Sequence, residues 1–347
     1  MIPPRRPSSR VIYVALALLF MGIGFLGAVL LAKNEGWAAV ADTRGKIIRN
    51  GKYDMINPIL LCEIGKYETA FPELLPIKNN LQKLVDELLQ EKKIQNVSVY
   101  VRMLNSGRWV GINDTELFSP ASLTKVVVMI AILKRSEAHP NFLKKQILYD
   151  GSFDYDQLET IQNSQPLLKG RSYSIEALLE NMIIHSGNNA LLLLREQLDR
   201  EDPNFLTSVF NDLMIPPLKS PGSDYVLSSS EYSVAFRILY NATYLERNLS
   251  DLALNLLRRA EFKDGLMAGV PSNITVAHKF GERVIRDEGI TEFHDCGIVY
   301  YPDHPYFLCV MTQGRNFPEL ISAVKNISKL AYEKIDLFFK NLAKAKK

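Results

Sequence analysis

Ser122 and Lys125 stand three residues apart in "FSPASLTKVVVMIAILK", Phe118 to Lys134. Three residues are nearly one helical turn, so on a helix the two side chains share a face. A hydroxyl beside an amine is the arrangement of a serine nucleophile with a lysine base, provided burial or a second cation lowers the amine's pKa. The helix is expected to open with Ser119 as N-cap and Pro120 at its first position. Ser122 then lies in the first turn, where free N–H groups and the positive helix end suit the oxyanion of acyl transfer. Behind it "VVVMIAIL" is apolar all round, the pattern of a helix buried at a domain centre.

The spacing alone says little. Ser322 and Lys325 in "ISAVKNISK" repeat it on the C-terminal helix, where it reads as surface decoration. Two later groups set the first pair apart. Ser186-Gly187-Asn188 falls at a break between apolar helical stretches in "ENMIIHSGNNALLLL", and Lys279-Phe280-Gly281 falls on the strand pattern "VAHKFGE". By themselves Ser186 and Asn188 are polar cap residues of a loop. Lys263-Asp264-Gly265 lies outside any strand pattern and is set aside.

The elements that must position these residues follow from periodicity. Residues 78–91 place Leu81, Leu84, Val85, Leu88 and Leu89 on one helical face, which should pack on a sheet. "NVSVYVRML" alternates as a strand, Ser106-Gly107 turns, and "RWVGI" returns as a second strand. Helical patterns fill 119 to about 265, broken at "DGSFDYD", "LLKGRSYS", "HSGN", "DREDPN" and "MIPPLKSPGSD". Strands resume at 273–282, 291–301 and 306–313, and an amphipathic helix runs from Phe317 to about Leu342. One sheet is thus built from both ends of the domain, with a helical block between its second and third strands. Neither an internal repeat nor a low-complexity segment appears.

Three motifs in this order, on a helix start, an inter-helix loop and a strand, resemble the Ser-x-x-Lys, Ser-Asp-Asn and Lys-Thr-Gly set of class A β-lactamases and penicillin-binding proteins. The resemblance runs from about residue 78 to the C-terminal helix. It implies an α+β, serine β-lactamase-like fold: an antiparallel five-stranded sheet flanked by N- and C-terminal helices, with an inserted all-helical subdomain. The sheet part would be 76–118 and 266–347, and the helical part 119–265. It also implies roles. Ser122 attacks a carbonyl and carries the acyl group, with Lys125 taking its proton. Ser186 passes a proton to the leaving nitrogen, helped by Lys279. Asn188 holds the substrate's side-chain amide and steadies Lys125. Gly281 and Glu282 border the substrate, and the backbone N–H groups of Ser122 and Glu282 form the oxyanion hole.

The chain departs from this family at three points. Gly187 replaces the aspartate that braces the loop. Phe280 replaces a hydroxyl residue that helps hold a substrate carboxylate, a contact that Arg283 or Arg286 is left to supply. Between Leu191 and Tyr225 no Glu-x-x-Leu-Asn segment occurs, and that segment carries the base for deacylation. Asp224 in "DYVLS" is read as a turn or cap residue, and "DLALN" at 251–255 falls inside a later helix. Release of the acyl group is therefore expected to be slow.

Residues 11–32, "VIYVALALLFMGIGFLGAVLLA", are free of charge and span about 33 Å as a helix, enough to cross a bilayer. Arg5, Arg6 and Arg10 precede the run, so residues 1–10 are expected in the cytoplasm and the catalytic part outside. A cleaved signal peptide, with "AVA" at Ala39–Ala41, is the competing reading. Residues 33–75, with prolines at 58 and 72, read as a linker lying against the domain.

The net charge of +3 owes much to the basic N-terminus and the tail "KNLAKAKK", so no nucleic-acid face is implied. Cys62, Cys296 and Cys309 are too scattered for a zinc site. Cys296 and Cys309 flank "YPDHP" and could pair across a hairpin, although buried free thiols are the expectation. His139, His185, His278, His294 and His304 show no metal-ligand spacing. The function expected is a membrane-anchored, monomeric, cofactor-free acyl-serine hydrolase acting on β-lactams or D-Ala-D-Ala-type cell-wall peptides. A non-catalytic penicillin-binding sensor on the same fold is the alternative.

Overall fold

The alternating run Asn96–Met103 forms strand β1 and returns through Gly107, whose φ of +71° suits glycine, into β2, Trp109–Ile112. The structure, a computed structural model, describes residues 47–48, 55, 59–60, 71–217, 225–285 and 287–345. The expected anchor at 11–32, most of the linker, Cys62, Asp224 and Arg286 lie outside the described residues. Among the described residues no helix is long and apolar enough to cross a membrane.

Three further strands join from the other end of the chain: β5 (Val276–Ile285), β6 (Ile290–Val299) and β7 (Tyr306–Gly314). The intervening numbers belong to a small hairpin, β3 (Gln146–Tyr149) with β4 (Arg171–Ser174). The main sheet has the order β2-β1-β7-β6-β5, and every neighbouring pair in it is antiparallel. The hairpin corrects one expectation. The inserted subdomain is not all-helical, because "QILY" and "RSYS" pair beside the loops that interrupt the helices.

Helix α1 (Leu75–Gln90) buries Ile77, Leu81, Val85 and Leu88, four positions of one stripe, and packs with α8 (Phe317–Ala345) on one face of the sheet. Val99, Val101, Leu308 and Val310 meet them there. The other face, with Tyr100, Phe307 and Met311, receives the helical half: α2 (Thr124–Ala138), α3 (Ile175–Ile184), α4 (Asn188–Glu201), α5 (Phe205–Asp212), α6 (Ser229–Asn241) and α7 (Arg247–Leu257). In α2 every residue from Lys125 to Leu133 is buried. Each such aliphatic side chain contributes roughly 1.5–3 kcal/mol, which offsets the cost of holding one lysine among them.

Cys296 and Cys309 lie directly opposite each other on β6 and β7 and form a disulfide. The expectation of free thiols fails because the strand register brings the two Cα atoms to 4.0 Å. On the final helix Ser322 and Lys325 are both exposed, as surface residues should be.

Candidate active site

The turn carrying Ser122 is built differently from the expectation. Helix α2 begins at Thr124, Ala121–Leu123 forms a short 3₁₀ turn before it, and Ser119 is not its cap. Ala121 has φ of +47°, so the chain doubles back just ahead of the serine and cannot continue a proline-started α-helix. Outside contacts hold this turn. Leu123 O accepts from Tyr232 Oη at 2.9 Å, and Ser119 O accepts from His294 Nε2 at 2.9 Å. His294 must stay neutral to donate there while its Nδ1 accepts from Thr312 N, and burial depresses its pKa to about 4.

Gly281 on β5 lies against the same turn. A Cβ there would come 2.8 Å from Pro120 O and 3.1 Å from Ser122 N. Glycine thus lets the strand approach the backbone of the serine, and brings the Glu282 peptide beside it. Alternation along β5 sends Lys279 to the same face as Gly281. Phe280 faces the other way, into the cluster with Phe262 and Phe293, where ring centroids lie 4.6 and 6.5 Å away. The missing hydroxyl is therefore replaced by a core aromatic.

Ser186 follows α3 with φ of +58°, a left-handed residue that lets the chain turn into α4. Its Oγ accepts from Lys125 Nζ at 3.1 Å and from Lys279 Nζ at 2.9 Å. Lys125 also donates to Ser186 O, and Lys279 to Phe280 O at 2.8 Å. Both lysines are fully buried. Burial lowers the Lys125 pKa to about 8, against the upward pull of Glu159 and Asp156. Lys279 is pushed well below the ordinary lysine value, by burial first and by the charge of Lys125 second. Burial thus supplies the depression that a lysine base at position 125 calls for.

Gly187 has a steric cause. A Cβ at this position would lie 1.9 Å from Asn181 Oδ1 and 3.0 Å from Asn163 Nδ2. Asn181 fills that space and donates to Gln165 O at 2.6 Å, so an amide from α3 braces the loop that an aspartate would otherwise hold.

One contributor was invisible in the sequence. Glu159 reaches into the site: its Oε1 accepts from Ser122 Oγ at 3.4 Å and from Asn188 Nδ2 at 2.8 Å, and stands 3.8 Å from Lys125 Nζ. Among the described residues the hydroxyl of Ser122 bonds to Glu159 and not to Lys125, and Asn188 bonds to the loop rather than to Lys125. The loop is tied on both sides. Asp156 accepts the backbone N–H groups of Asn188 at 2.6 Å and Asn189 at 3.1 Å at the start of α4, where helix polarity favours a carboxylate. Past the cleft, Ile161 N donates to Glu282 Oε1 at 2.8 Å, and burial raises the Glu282 carboxyl pKa. "YDQLET" carries no spacing that marks a site, so nothing short of the folded chain assigns Glu159 a place.

A family model for the beta-lactamase enzyme family matches residues 77–335. The chain belongs to that family. Solved structures of the same fold include a class A beta-lactamase from Mycobacterium abscessus, at 20% identity and a TM-score of 0.63, covering 74% of this chain and 99% of that one. An L158E mutant of PBP-A, solved as an acyl-enzyme complex with penicillin G, is 21% identical with a TM-score of 0.61, over 75% of this chain and 97% of that one. A beta lactamase from Xanthomonas campestris is 20% identical with a TM-score of 0.61, over 73% and 97%. No curated protein matches the chain. The recognised family and the five-stranded antiparallel sheet are those the motifs implied.

Proposed function

We propose that this chain is a membrane-anchored acyl-serine hydrolase that opens the amide of β-lactams or D-Ala-D-Ala-type cell-wall peptides through an acyl-enzyme on Ser122. The observation that carries the reading is the convergence of Ser122, Lys125, Ser186 and Lys279 in one buried group. Lys125 and Lys279 share the Ser186 hydroxyl, and Gly281 touches the Ser122 backbone. In this reading Ser122 attacks the carbonyl carbon and its proton passes to Lys125. The oxyanion is held by the N–H groups of Ser122 and Glu282. The proton then moves through Ser186, oriented by Lys279, to the leaving nitrogen. Asn188 takes the substrate's side-chain amide once it exchanges its bond to Glu159.

The apolar run 11–32 supplies the anchor, with the catalytic part on the outer side, where cell-wall peptides are found. A disulfide between Cys296 and Cys309 suits such an oxidising compartment. The enzyme acts as a monomer. The test is labelling by a fluorescent penicillin: a stoichiometric adduct on the wild type, absent from Ser122→Ala, supports the reading. No adduct on folded wild type overturns it.

A penicillin-binding sensor is the second reading, favoured by the loop that lays Glu159 across Ser122 and Asn188. A sensor would label at Ser122 yet release no product.

A further inference from the structure

We propose that Glu159 is the general base that hydrolyses the acyl-enzyme on Ser122. The proposal rests on the acyl-serine reading and assigns its release step to a carboxylate from the loop before the second motif, a different stretch from 191–225. Three features carry it. Glu159 contacts the nucleophile directly, Ser122 Oγ to Oε1 at 3.4 Å. Its carboxylate is oriented by Asn188 Nδ2 at 2.8 Å and by the Lys125 ammonium at 3.8 Å. Its loop is fixed on either side of the cleft, by Asp156 on the start of α4 and by Ile161 N on Glu282. The Glu159 side chain is 13% exposed, so it is shielded and still reachable by a water molecule.

Acylation itself creates the vacancy for that water. In the free enzyme Glu159 Oε1 accepts the Ser122 hydroxyl proton. In the ester Ser122 Oγ has no proton, so this oxygen keeps Asn188 and Lys125 but loses the serine as a donor, which opens an acceptor site on the side of the acyl group. A water entering there donates one hydrogen to Glu159 and presents its lone pair to the ester carbonyl. The step balances as follows. The water O–H bond breaks and its proton goes to Glu159. The water oxygen bonds to the acyl carbon, and the carbonyl electrons move to the oxyanion hole. As the carbonyl re-forms, the bond from the acyl carbon to Ser122 Oγ breaks, and Oγ takes the proton from Glu159. A carboxylic acid leaves, with Ser122 and Glu159 restored.

The experiment follows penicillin G on the full chain by time-resolved intact mass. The wild type should gain one penicilloyl adduct, which then decays. Glu159→Gln should acylate and hold the adduct, with decay slower by about 10²–10⁴-fold, the usual contribution of a general base. Glu159→Ala should do the same, and added formate should restore part of its decay, a rescue that a merely structural role would not give. Decay unchanged in folded Glu159→Gln overturns the inference and leaves the acyl-serine reading standing. Faster labelling with unchanged decay does so too, since it makes Glu159 a plug. If folded wild type takes no adduct, both fall. Should Glu159→Gln misfold, the formate rescue in Glu159→Ala decides.

Discussion

Lys125 and Lys279 approach from a helix and a strand and donate to the same atom, Ser186 Oγ, at 3.1 and 2.9 Å. Burial pushes both amines below the ordinary lysine value, and the charge of Lys125 adds to the depression of Lys279. The Ser186 hydroxyl therefore lies within hydrogen-bond reach of two depressed amines.

In the proposed mechanism Lys125 sets the pH dependence of acylation. Lys125 accepts a proton only when neutral, and its pKa lies near 8. The acylation rate by penicillin should rise through that pH and level off above it, as measured by stopped-flow labelling. Glu159 and Asp156 hold the Lys125 value up, so Glu159→Gln should move the midpoint to lower pH. A midpoint that stays or moves upward contradicts the assignment.

Stability should follow the same titration. Lys125 has the ordinary lysine pKa of 10.5 when unfolded and about 8 when folded, so between these values the unfolded state binds more protons and stability rises with pH. At about 1.4 kcal/mol per pKa unit the gain is on the order of 3 kcal/mol. It should be complete only above pH 10.5. Buried Tyr232, Tyr300 and Tyr306, whose pKa values are raised, then work the other way, because the unfolded phenols ionise first. Urea unfolding at pH 7, 8, 9 and 10 should show the rise, and a steady fall would contradict it.

Lys279→Ala should leave Ser186 with Lys125 as its one amine donor and slow acylation by roughly 10²–10⁴-fold, the range for losing a positioned proton-transfer group. Circular dichroism should confirm that the variant still folds, since Lys279→Ala also empties a fully buried position. Full acylation by folded Lys279→Ala would remove Lys279 from the mechanism.

Gly187→Asp, which restores the family's aspartate, should destabilise the protein by about 1–3 kcal/mol through overpacking, because Asn181 Oδ1 stands 1.9 Å from the new Cβ. Adding Asn181→Ala should recover most of that loss. Thermal unfolding of the two single variants and the double variant measures the coupling.

Gly281→Ala should damage catalysis more than stability. Its methyl group would press on Pro120 O and Ser122 N, both backbone atoms that cannot rotate away. A shift of about 1 Å at a nucleophile can cost 10²-fold in rate, and the acylation rate constant reads it directly.

Much of this site was legible in the chain. Ser122, Lys125, Ser186, Asn188, Lys279 and Gly281 were marked by three motifs whose order resembles a known family's, and hydrophobic periodicity placed the sheet, α1 and α8 within a few residues. Those signals are local: a helix stripe or an alternating strand is written in neighbours three or two positions apart. The hairpin β3–β4 was missed because two four-residue strands inside loop-like segments carry too little pattern to register.

What the sequence by itself determined is the three candidate motifs and the sheet split around its insertion, since both rest on short-range order. Tertiary structure alone decided three further things. Ser122 sits on a 3₁₀ turn held by Tyr232 and His294, Cys296 pairs with Cys309 through strand register, and Glu159 crosses the cleft to reach Ser122 and Asn188. Each depends on contacts between residues far apart in the chain, and such contacts leave no period to read. A carboxylate acquires its role from the hydroxyl, amide and amine that folding sets around it, and Glu159 has none of these as a sequence neighbour.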